Sequence, residues 1–396
     1  MEASGTPERI QLPSVDAAAA GLYTVAHLAF FSTLANALMP GLDRAALAML
    51  AVTVLVAIGR ALWRGDTWVA LLAMAVLALL AAQLAVFSRL AGQPLNWNAG
   101  LAYVPIAGFI VFFNARRELH AFLKALVAIS MVYCAAYALF SGTVAGLGGA
   151  GILADDGRGQ RLLLASGYVG LALFACLVHL RREPRNRGWW LALALVPLAL
   201  LEAQSRTFSA LAALVALLFL SGLLGPATRW VLAFAFTLAT AAVLAGVALP
   251  GWNPFDRLAA DASGQARASA YAALQPLLSG SPVTGVGLPG SRQMFDGLLG
   301  QGYAYWEDLG AFGVWAAFGL AGLVAFLLLA YRALAGLYPR NAEEEALSLA
   351  AVAAALFGVI SPSLWSGSAT IVANLVVALW LERRTRRIAA IESQKP

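Results

Sequence analysis

Long apolar segments separated by short polar loops run through almost the whole of this 396-residue chain. Segment 67–87, for example, contains no charged residue. Hydrophobic residues make up 61% of the chain and charged residues only 12%, whereas soluble domains are about 45–50% apolar and about 25% charged. Because a helix needs about 20 mostly apolar residues to cross the hydrocarbon core, the sequence predicts an integral membrane protein.

The apolar segments predict an all-α polytopic fold with about twelve transmembrane helices. The shortest segments, 99–113, 189–204 and 368–381, also fit re-entrant or buried helices, since fewer than about 17 apolar residues rarely span a bilayer. The predicted spans are 17–39, 44–63, 67–87, 99–113, 120–140, 162–180, 189–204, 207–224, 229–249, 306–333, 346–361 and 368–381.

Lysine and arginine in the short loops set the predicted orientation. When twelve spans alternate, one side collects Arg60, Arg64, Arg116, Arg117, Arg181, Arg182, Arg185, Arg187, Arg229, Arg340 and the tail ERRTRR at 382–387. That side is expected to be the cytoplasm. The chain then divides into a cytoplasmic N-terminal tail at 1–16, a transmembrane domain at 17–381 and a cytoplasmic basic tail at 382–396. The first sixteen residues lack the apolar core of a cleavable signal, so the first span is expected to direct insertion.

The segment 250–305, between predicted spans 9 and 10, faces the opposite compartment. A loop this long among short ones is usually functional. Residues 264–278 suit a short amphipathic helix that carries Arg267, Tyr271 and Leu274 on neighbouring turns. The stretch SGSPVTGVGLPG at 279–290 predicts an irregular loop, whose glycines let the backbone approach a ligand or another helix closely.

Several function classes are disfavoured by composition. The net charge of +6 is not arranged as a basic stripe interleaved with aromatic residues, so no nucleic-acid partner is expected. Cys134 and Cys176 lie in apolar runs without partners at metal-ligand spacing, which favours buried small hydrophobes over a disulfide or a zinc site. Asp155 and Asp156 are adjacent and are interpreted as loop caps.

The arginines on the predicted outer face are unusual because no lysine accompanies them. Arginine presents a planar set of donors that binds phosphate or carboxylate through two parallel hydrogen bonds, which lysine does not. An all-arginine face therefore fits anion binding, while the alternative is that individual guanidinium groups extend to the lipid headgroups. These residues are Arg44, Arg89, Arg158, Arg161, Arg206, Arg257, Arg267 and Arg292.

Arg206 differs from the others because it opens an apolar span directly. Ser205 or Thr207 is expected to cap the helix, so that free N–H groups and the positive end of the helix dipole point toward the guanidinium. Together these groups predict an anion site, with Glu202 orienting the guanidinium. The alternative is an arginine that only anchors the helix end at the headgroups.

Two carboxylates, Glu307 and Asp308, open the span that follows the long loop. They come after Tyr303, Tyr305 and Trp306, which indicate a membrane interface. One interpretation is that the carboxylates only complement the helix dipole. The other is catalytic, because a carboxylate partly buried beside aromatic rings has a raised pKa and can accept a proton from a sugar hydroxyl.

Three stretches together carry a resemblance to a known family: SRTFSALAALVALLFL (205–220), RASAYAAL followed by GSPVTGVGLPG (267–290), and EDLGAFGVWAAFGL (307–320). In this order they are similar to the O-antigen ligase and O-antigen polymerase superfamily of bacterial GT-C-type membrane glycosyltransferases. The predicted spans, cytoplasmic ends and long late loop extend the resemblance over nearly the whole chain.

The resemblance implies a donor glycan linked to undecaprenyl diphosphate, used at the periplasmic face of the bacterial inner membrane without a cofactor, a nucleotide sugar or a metal. The implied partners are this donor, an acceptor glycan or lipid A core, membrane lipids and a chain-length regulator. The implied catalytic residues are Glu307, Asp308, Arg206 and Arg267; the diphosphate ligands are Arg206, Arg267 and Arg292; the substrate loop holds Tyr271, Gly285, Gly287, Tyr303, Tyr305 and Trp306.

One departure from the family pattern concerns the base. Ligases of this family carry a histidine shortly before the last acidic-Gly motif, and the stretch FDGLLGQGYAYWEDLG at 295–310 has none. The three histidines, His27, His120 and His179, fall in or beside other spans. Glu307 or Asp308 is expected to replace the histidine, or leaving-group stabilisation carries the reaction.

The missing histidine favours a surface-polysaccharide polymerase over an O-antigen ligase. A transporter or flippase for a lipid-linked glycan is the alternative from another class. It predicts charged residues near the membrane midplane and helices broken by Gly or Pro in corresponding halves. A purely structural membrane protein is the third interpretation, and a long outer loop rich in arginine, glycine and aromatic residues argues against it.

Overall fold

The computed structural model describes residues 14–147, 162, 164–203, 205–249, 251–256, 262–289, 306–336 and 338–392. All regular elements in these ranges are helices, and no strand forms among them. The predicted all-α fold is confirmed for this part of the chain.

In the first half of the chain, the described residues form eight α-helices and one short 3-10 helix. The 3-10 helix is Val104–Ala107 and lies between the fifth and sixth α-helices. The α-helices are α1 (Val15–Phe31), α2 (Thr33–Leu38), α3 (Leu42–Trp63), α4 (Thr67–Ala91), α5 (Trp97–Leu101), α6 (Phe109–Asn114), α7 (Leu119–Leu147) and α8 (Ser166–Arg182).

The second half adds the following helices, with a 3-10 turn at Trp306–Asp308 before the first long helix that follows the predicted outer loop. They are α9 (Arg187–Ala203), α10 (Arg206–Leu220), α11 (Pro226–Ala245), α12 (Ala262–Gly280), α13 (Gly310–Ala335), α14 (Ala342–Phe357), α15 (Ser363–Ser366) and α16 (Thr370–Glu392). The last helix runs through 382–387, so the basic residues there are helical.

Membrane-spanning character is clear in part of the bundle. Five helices of the described ranges are long and apolar enough to cross a bilayer: α3, α4, α7 up to Val144, α11 and α13. Shorter apolar helices lie at Val15–Phe31, Val104–Asn114 and Arg206–Leu220. A membrane-embedded protein is therefore supported, and the twelve-span topology stays a prediction.

Two predicted spans are broken. Segment 17–39 divides at Ser32, whose N–H donates to Leu28 at the end of α1 and whose hydroxyl accepts from Ala35 at the start of α2. Segment 99–113 divides around the 3-10 helix Val104–Ala107, which contains Pro105, a residue that supplies no N–H to a helical ladder. The Pro105 carbonyl accepts from the Gly108 N–H at 3.0 Å, and also from Tyr23 at 3.1 Å and from Asn374 at 2.8 Å.

One end of the bundle is held by ion pairs, and we call it the charge-paired end. Its pairs join helix termini that are distant in sequence: Asp16 to Arg60 (2.6 Å) and to Arg64, Asp66 to Arg116 (2.9 Å), Arg182 to Glu345 (2.8 Å), and Arg383 to Glu344 (2.7 Å). The Arg384 guanidinium lies 5.9 Å from the Trp68 ring centroid and so connects the two halves. Arginines that set the predicted orientation therefore meet at one end.

Candidate functional site

The site begins with a contact between the predicted amphipathic helix and the acidic motif. Helix α12 covers the predicted range 264–278, which confirms that expectation. Arg267, half-buried on this helix, donates from Nε to the main-chain carbonyl of Asp308 at 3.2 Å. Two of the three stretches that carry the family resemblance are therefore in direct contact.

The 3-10 turn Trp306–Asp308 holds both carboxylates at the entry to α13. Glu307 and Asp308 are half-buried, and the indole of Trp306 is buried beneath them. The Glu307 carboxylate interacts with the hydroxyl of Tyr103. The Tyr103 ring lies 5.8 Å from Trp306 and 6.1 Å from Phe318, measured between ring centroids. A carboxylate beside aromatic rings is thus present, as the sequence predicted.

Tyr103 is a site residue that the sequence interpretation missed. It lies between α5 and the 3-10 helix Val104–Ala107, in the broken segment 99–113. A tyrosine two residues before Pro105 within a short apolar segment was the available signal, because a break in a membrane helix often marks a cavity or a site.

The glycine loop packs against two helices. Residues 281–289 form no regular helix or strand, which confirms the predicted irregular loop for these residues, while the first two residues of the predicted range 279–290 belong to the end of α12. Gly285 and Gly287 have φ of 71° and 91°. A methyl group on Gly285 would lie 2.5 Å from the Ala316 carbonyl oxygen, and one on Gly287 would lie 2.4 Å from the Phe87 nitrogen. These two glycines therefore permit close helix contact.

The same loop provides main-chain hydrogen-bond partners to α13 where the hydrogen-bond pattern of that helix is interrupted. Helix α13 is interrupted at Gly319, where φ is 65°. The Leu320 N–H donates to the Val283 carbonyl at 2.9 Å, and the N–H groups of Val286 and Gly287 donate to the Ala316 carbonyl at 2.7 and 3.2 Å. The loop and the helix that begins after the carboxylates are therefore fixed to each other by main-chain hydrogen bonds.

Tyr271 anchors α12. Its hydroxyl donates to the Val243 carbonyl at 2.8 Å, and its ring lies 4.2 Å from that of Phe312. Burial raises the pKa of Tyr271 to about 12, so the hydroxyl stays protonated and keeps this hydrogen bond at neutral pH. Tyr271 was predicted as a residue of the substrate loop. Its contacts in the structure hold α12 against α11 and α13.

Arg206 is the first residue of α10, as predicted, and its side chain is exposed. Ser205 occupies the N-cap position, but its side chain makes no capping hydrogen bond. In the part of the chain that the structure describes, no carboxylate pairs with Arg206. Glu202 was expected to orient the Arg206 guanidinium, and this contact is not observed. The Glu202 side chain on α9 lies near α7, with its Oε2 3.9 Å from the Cβ position of Gly142.

Arg206 and Arg267 lie at the same end of the bundle, opposite the charge-paired end. Phe208, one residue beyond Thr207 on α10, packs 5.7 Å from Phe357 at the end of α14. Val359, two residues after Phe357, contacts the first residue of α13, Gly310. A methyl group on Gly310 would lie 1.9 Å from the Val359 carbonyl oxygen. This chain of contacts joins the start of α10 to the start of α13, beside Asp308. Their convergence on one cavity stays a prediction.

None of the three histidines contacts the turn Trp306–Asp308. The His27 ring is buried, with Nδ1 3.0 Å from the Tyr168 hydroxyl and Nε2 3.4 Å from the Thr370 hydroxyl. His120 lies at the charge-paired end, 2.9 Å from Asn341. His179 stacks on Trp189 with ring centroids 4.2 Å apart. Glu307 is consequently the better placed candidate for a base.

The other predicted site residues, Arg292, Tyr303 and Tyr305, lie outside the described residues. Within the described ranges, no three His, Cys, Asp or Glu side chains gather as metal ligands do. Comparison of the chain with protein-family models, with curated proteins and with solved structures finds no match. The functional argument therefore rests on the residues and contacts of this chain.

Proposed function

We propose that this protein is a membrane glycosyltransferase that elongates a surface polysaccharide, using a glycan linked to undecaprenyl diphosphate as the donor at the periplasmic face of the inner membrane. The observation that carries the proposal is the contact of Arg267 with the Asp308 carbonyl, beside the Glu307–Tyr103 pair. This contact supports the proposal because it brings an arginine, a side chain suited to phosphate, to the turn that carries Glu307.

The two arginines bind the diphosphate of the donor. Among the described residues, no carboxylate pairs with Arg206, and the Arg267 guanidinium donates to one carbonyl. A guanidinium carries five N–H donors, so these contacts use few of them. Guanidinium groups match phosphate oxygens through paired hydrogen bonds. They stabilise the charge that grows on the diphosphate as the glycosidic bond breaks.

Glu307 accepts the proton. The acceptor hydroxyl attacks the anomeric carbon of the donor glycan and forms the new glycosidic bond. The bond from that carbon to the diphosphate oxygen breaks, and its electron pair leaves on undecaprenyl diphosphate. The hydroxyl proton passes to the Glu307 carboxylate, which the hydroxyl of Tyr103 orients. The rigid contact of the glycine loop with α13 supports the position of this turn.

Reconstitution tests the proposal. Purified protein in proteoliposomes is given a native undecaprenyl-diphosphate-linked glycan, and products are resolved by gel for the wild type, Arg206→Ala and Arg267→Ala. Arg44→Ala is the matched control, because Arg44 is also exposed and lies on the same predicted face. We expect longer lipid-linked chains from the wild type and the control, and none from the two test variants.

Other outcomes identify other functions. Transfer only when lipid A core is supplied identifies an O-antigen ligase. Movement of the donor across the bilayer without any new glycosidic bond identifies a transporter or flippase. Elongation that persists in both Arg206→Ala and Arg267→Ala contradicts the proposed role of the two arginines.

A further inference from the structure

An arginine cluster lies where the last turn of α13 meets the second half of α16, at the charge-paired end. We define it as Arg332, Arg383, Arg384 and Arg387. Arg383 and Arg387, both of like sign, act on Arg332, and the hydroxyl of Tyr338 acts on it in the opposite sense. The Arg332 Nε atom is buried and makes no hydrogen bond. Among the described residues, no carboxylate pairs with this guanidinium.

The carboxylates near the cluster are already engaged. Glu344 accepts from Arg383 at 2.7 Å and from the Arg340 main-chain N–H at 2.8 Å. Glu382 pairs with Arg386 at 2.5 Å. Among the residues that the structure describes, no carboxylate forms an ion pair with Arg332, Arg384 or Arg387. The cluster therefore attracts an anion from outside the chain.

Aromatic rings form the floor of the cluster. The Trp380 ring centroid lies 6.0 Å from the Arg332 guanidinium carbon and 5.7 Å from that of Arg384, and Trp68 lies 5.9 Å from Arg384 on the other side. Tryptophan with arginine at the end of a membrane helix is typical of the headgroup level. The anion that reaches this position is attached to the membrane.

An exposed apolar stripe leads from the cluster along α13. Leu320, Val324 and Leu328 are spaced four residues apart, are 44%, 47% and 67% exposed, and continue to Arg332 with the same spacing. Residues at this spacing share one face of a helix. An acyl chain lying along this stripe places its phosphate at Arg332.

We propose that this cluster is a binding site for the phosphate of an anionic phospholipid, held between α13 and α16 with an acyl chain along Leu320–Leu328. A net negative headgroup is preferred over a zwitterionic one, because the three uncompensated guanidinium groups make no favourable electrostatic interaction with the cationic choline or ethanolamine group. The site is independent of the glycosyltransferase proposal, since it lies at the other end of the bundle.

Lipid binding to the full-length protein in detergent tests this site. Native mass spectrometry measures the affinity for phosphatidylglycerol, for phosphatidylcholine and for soluble glycerol phosphate. We expect phosphatidylglycerol to bind more tightly than the other two. Arg332→Gln and Arg387→Gln should each weaken it about fivefold, while Arg185→Gln, an exposed arginine of the same end, leaves it unchanged.

Arg387→Gln keeps the test valid if Arg332→Gln fails to fold, because Arg387 is exposed. Thermal unfolding without added lipid identifies variants that have lost the fold. Equal affinity for phosphatidylglycerol and phosphatidylcholine overturns the proposal. Equal affinity for glycerol phosphate also overturns it, because the site is then a phosphate site that needs no lipid. The proposal is also overturned if Arg332→Gln and Arg387→Gln both bind phosphatidylglycerol as tightly as the wild type does.

Discussion

Apart from the arginine cluster, the two ends of the helix bundle use arginine in different ways. At the charge-paired end, Asp16, Asp66, Glu344 and Glu345 neutralise arginines from other helices. At the opposite end, no carboxylate of the described ranges pairs with Arg206, and Arg267 donates to a main-chain carbonyl.

Charge neutralised within the protein holds helix termini together. Charge left available at a helix end attracts a ligand. The difference therefore separates arginines that stabilise the fold from arginines that can bind a substrate, although their sequence surroundings look alike.

The largest expected effect is the loss of elongation in Arg206→Lys. This substitution keeps the charge but removes the paired donors of the guanidinium, so the rate should fall by about 100-fold or more. Chain elongation in proteoliposomes measures it. Arg182→Lys is the control at the charge-paired end, where Arg182 pairs with Glu345, and should retain activity. Normal elongation by Arg206→Lys would make Arg206 a positional anchor and remove the contrast between the ends.

A comparable loss is expected when the proposed base is neutralised. Glu307→Gln keeps the size of the side chain but does not accept a proton, so elongation should fall by about 100-fold. Tyr103→Phe should cost less, about tenfold, because it removes only the hydroxyl that orients the carboxylate. Chain elongation in proteoliposomes measures both variants.

Glu345→Gln is the matched control at the charge-paired end and should elongate as the wild type does. Elongation by Glu307→Gln at the wild-type rate would leave the carboxylate with only the role of complementing the helix dipole.

The glycine loop should show a stability effect. Gly287→Ala places a methyl group 2.4 Å from the Phe87 nitrogen at a φ of 91°, and we expect a loss of about 2 kcal/mol in the free energy of unfolding. Gly222→Ala, with φ of 74° and open space around its Cβ position, isolates the cost of the backbone conformation, about 1 kcal/mol. Thermal unfolding in detergent compares them. Equal losses would mean that close packing on α4 contributes nothing.

The long uninterrupted helices could be predicted from sequence, and the broken ones could not. The apolar runs at 44–63 and 67–87 correspond to α3 and α4 because the hydropathy of a run and its flanking breaks are local properties. The interruption at Gly319 depends on Val283, whose carbonyl accepts the Leu320 N–H. A partner that is distant in sequence leaves no trace in the local pattern of apolar residues.

The candidate site shows the same limit. The acidic turn and α12 were predicted from their own residues, and the family resemblance placed Arg267 and Glu307 in one site. Tyr103 was missed because it comes from a short apolar segment that looks like a plain span. The expected contact between Glu202 and Arg206 was wrong. The two residues are close in sequence, but they lie on two helices that pack on different neighbours.

The smallest expected effect concerns pH at the charge-paired end. Burial by itself would raise the pKa of Asp16, but the hydrogen bonds and positive charges of Arg60 and Arg64 outweigh it and hold the pKa below its ordinary value. A carboxyl group of this kind stabilises the fold fully above the unfolded pKa of about 4, and its contribution is lost as the pH falls through the lower pKa of the folded state.

Asp16→Asn should accordingly cost about 1 kcal/mol at pH 7, because the two guanidinium groups are partly exposed, and almost nothing at a pH well below about 4. Thermal unfolding in detergent at both pH values measures this, with Asp43→Asn as the control, since Asp43 has no ion-pair partner among the described residues. A cost that is equal at both pH values would show that Asp16 acts through its shape and hydrogen bonds. The distinction between paired and available charge would then not hold for this pair.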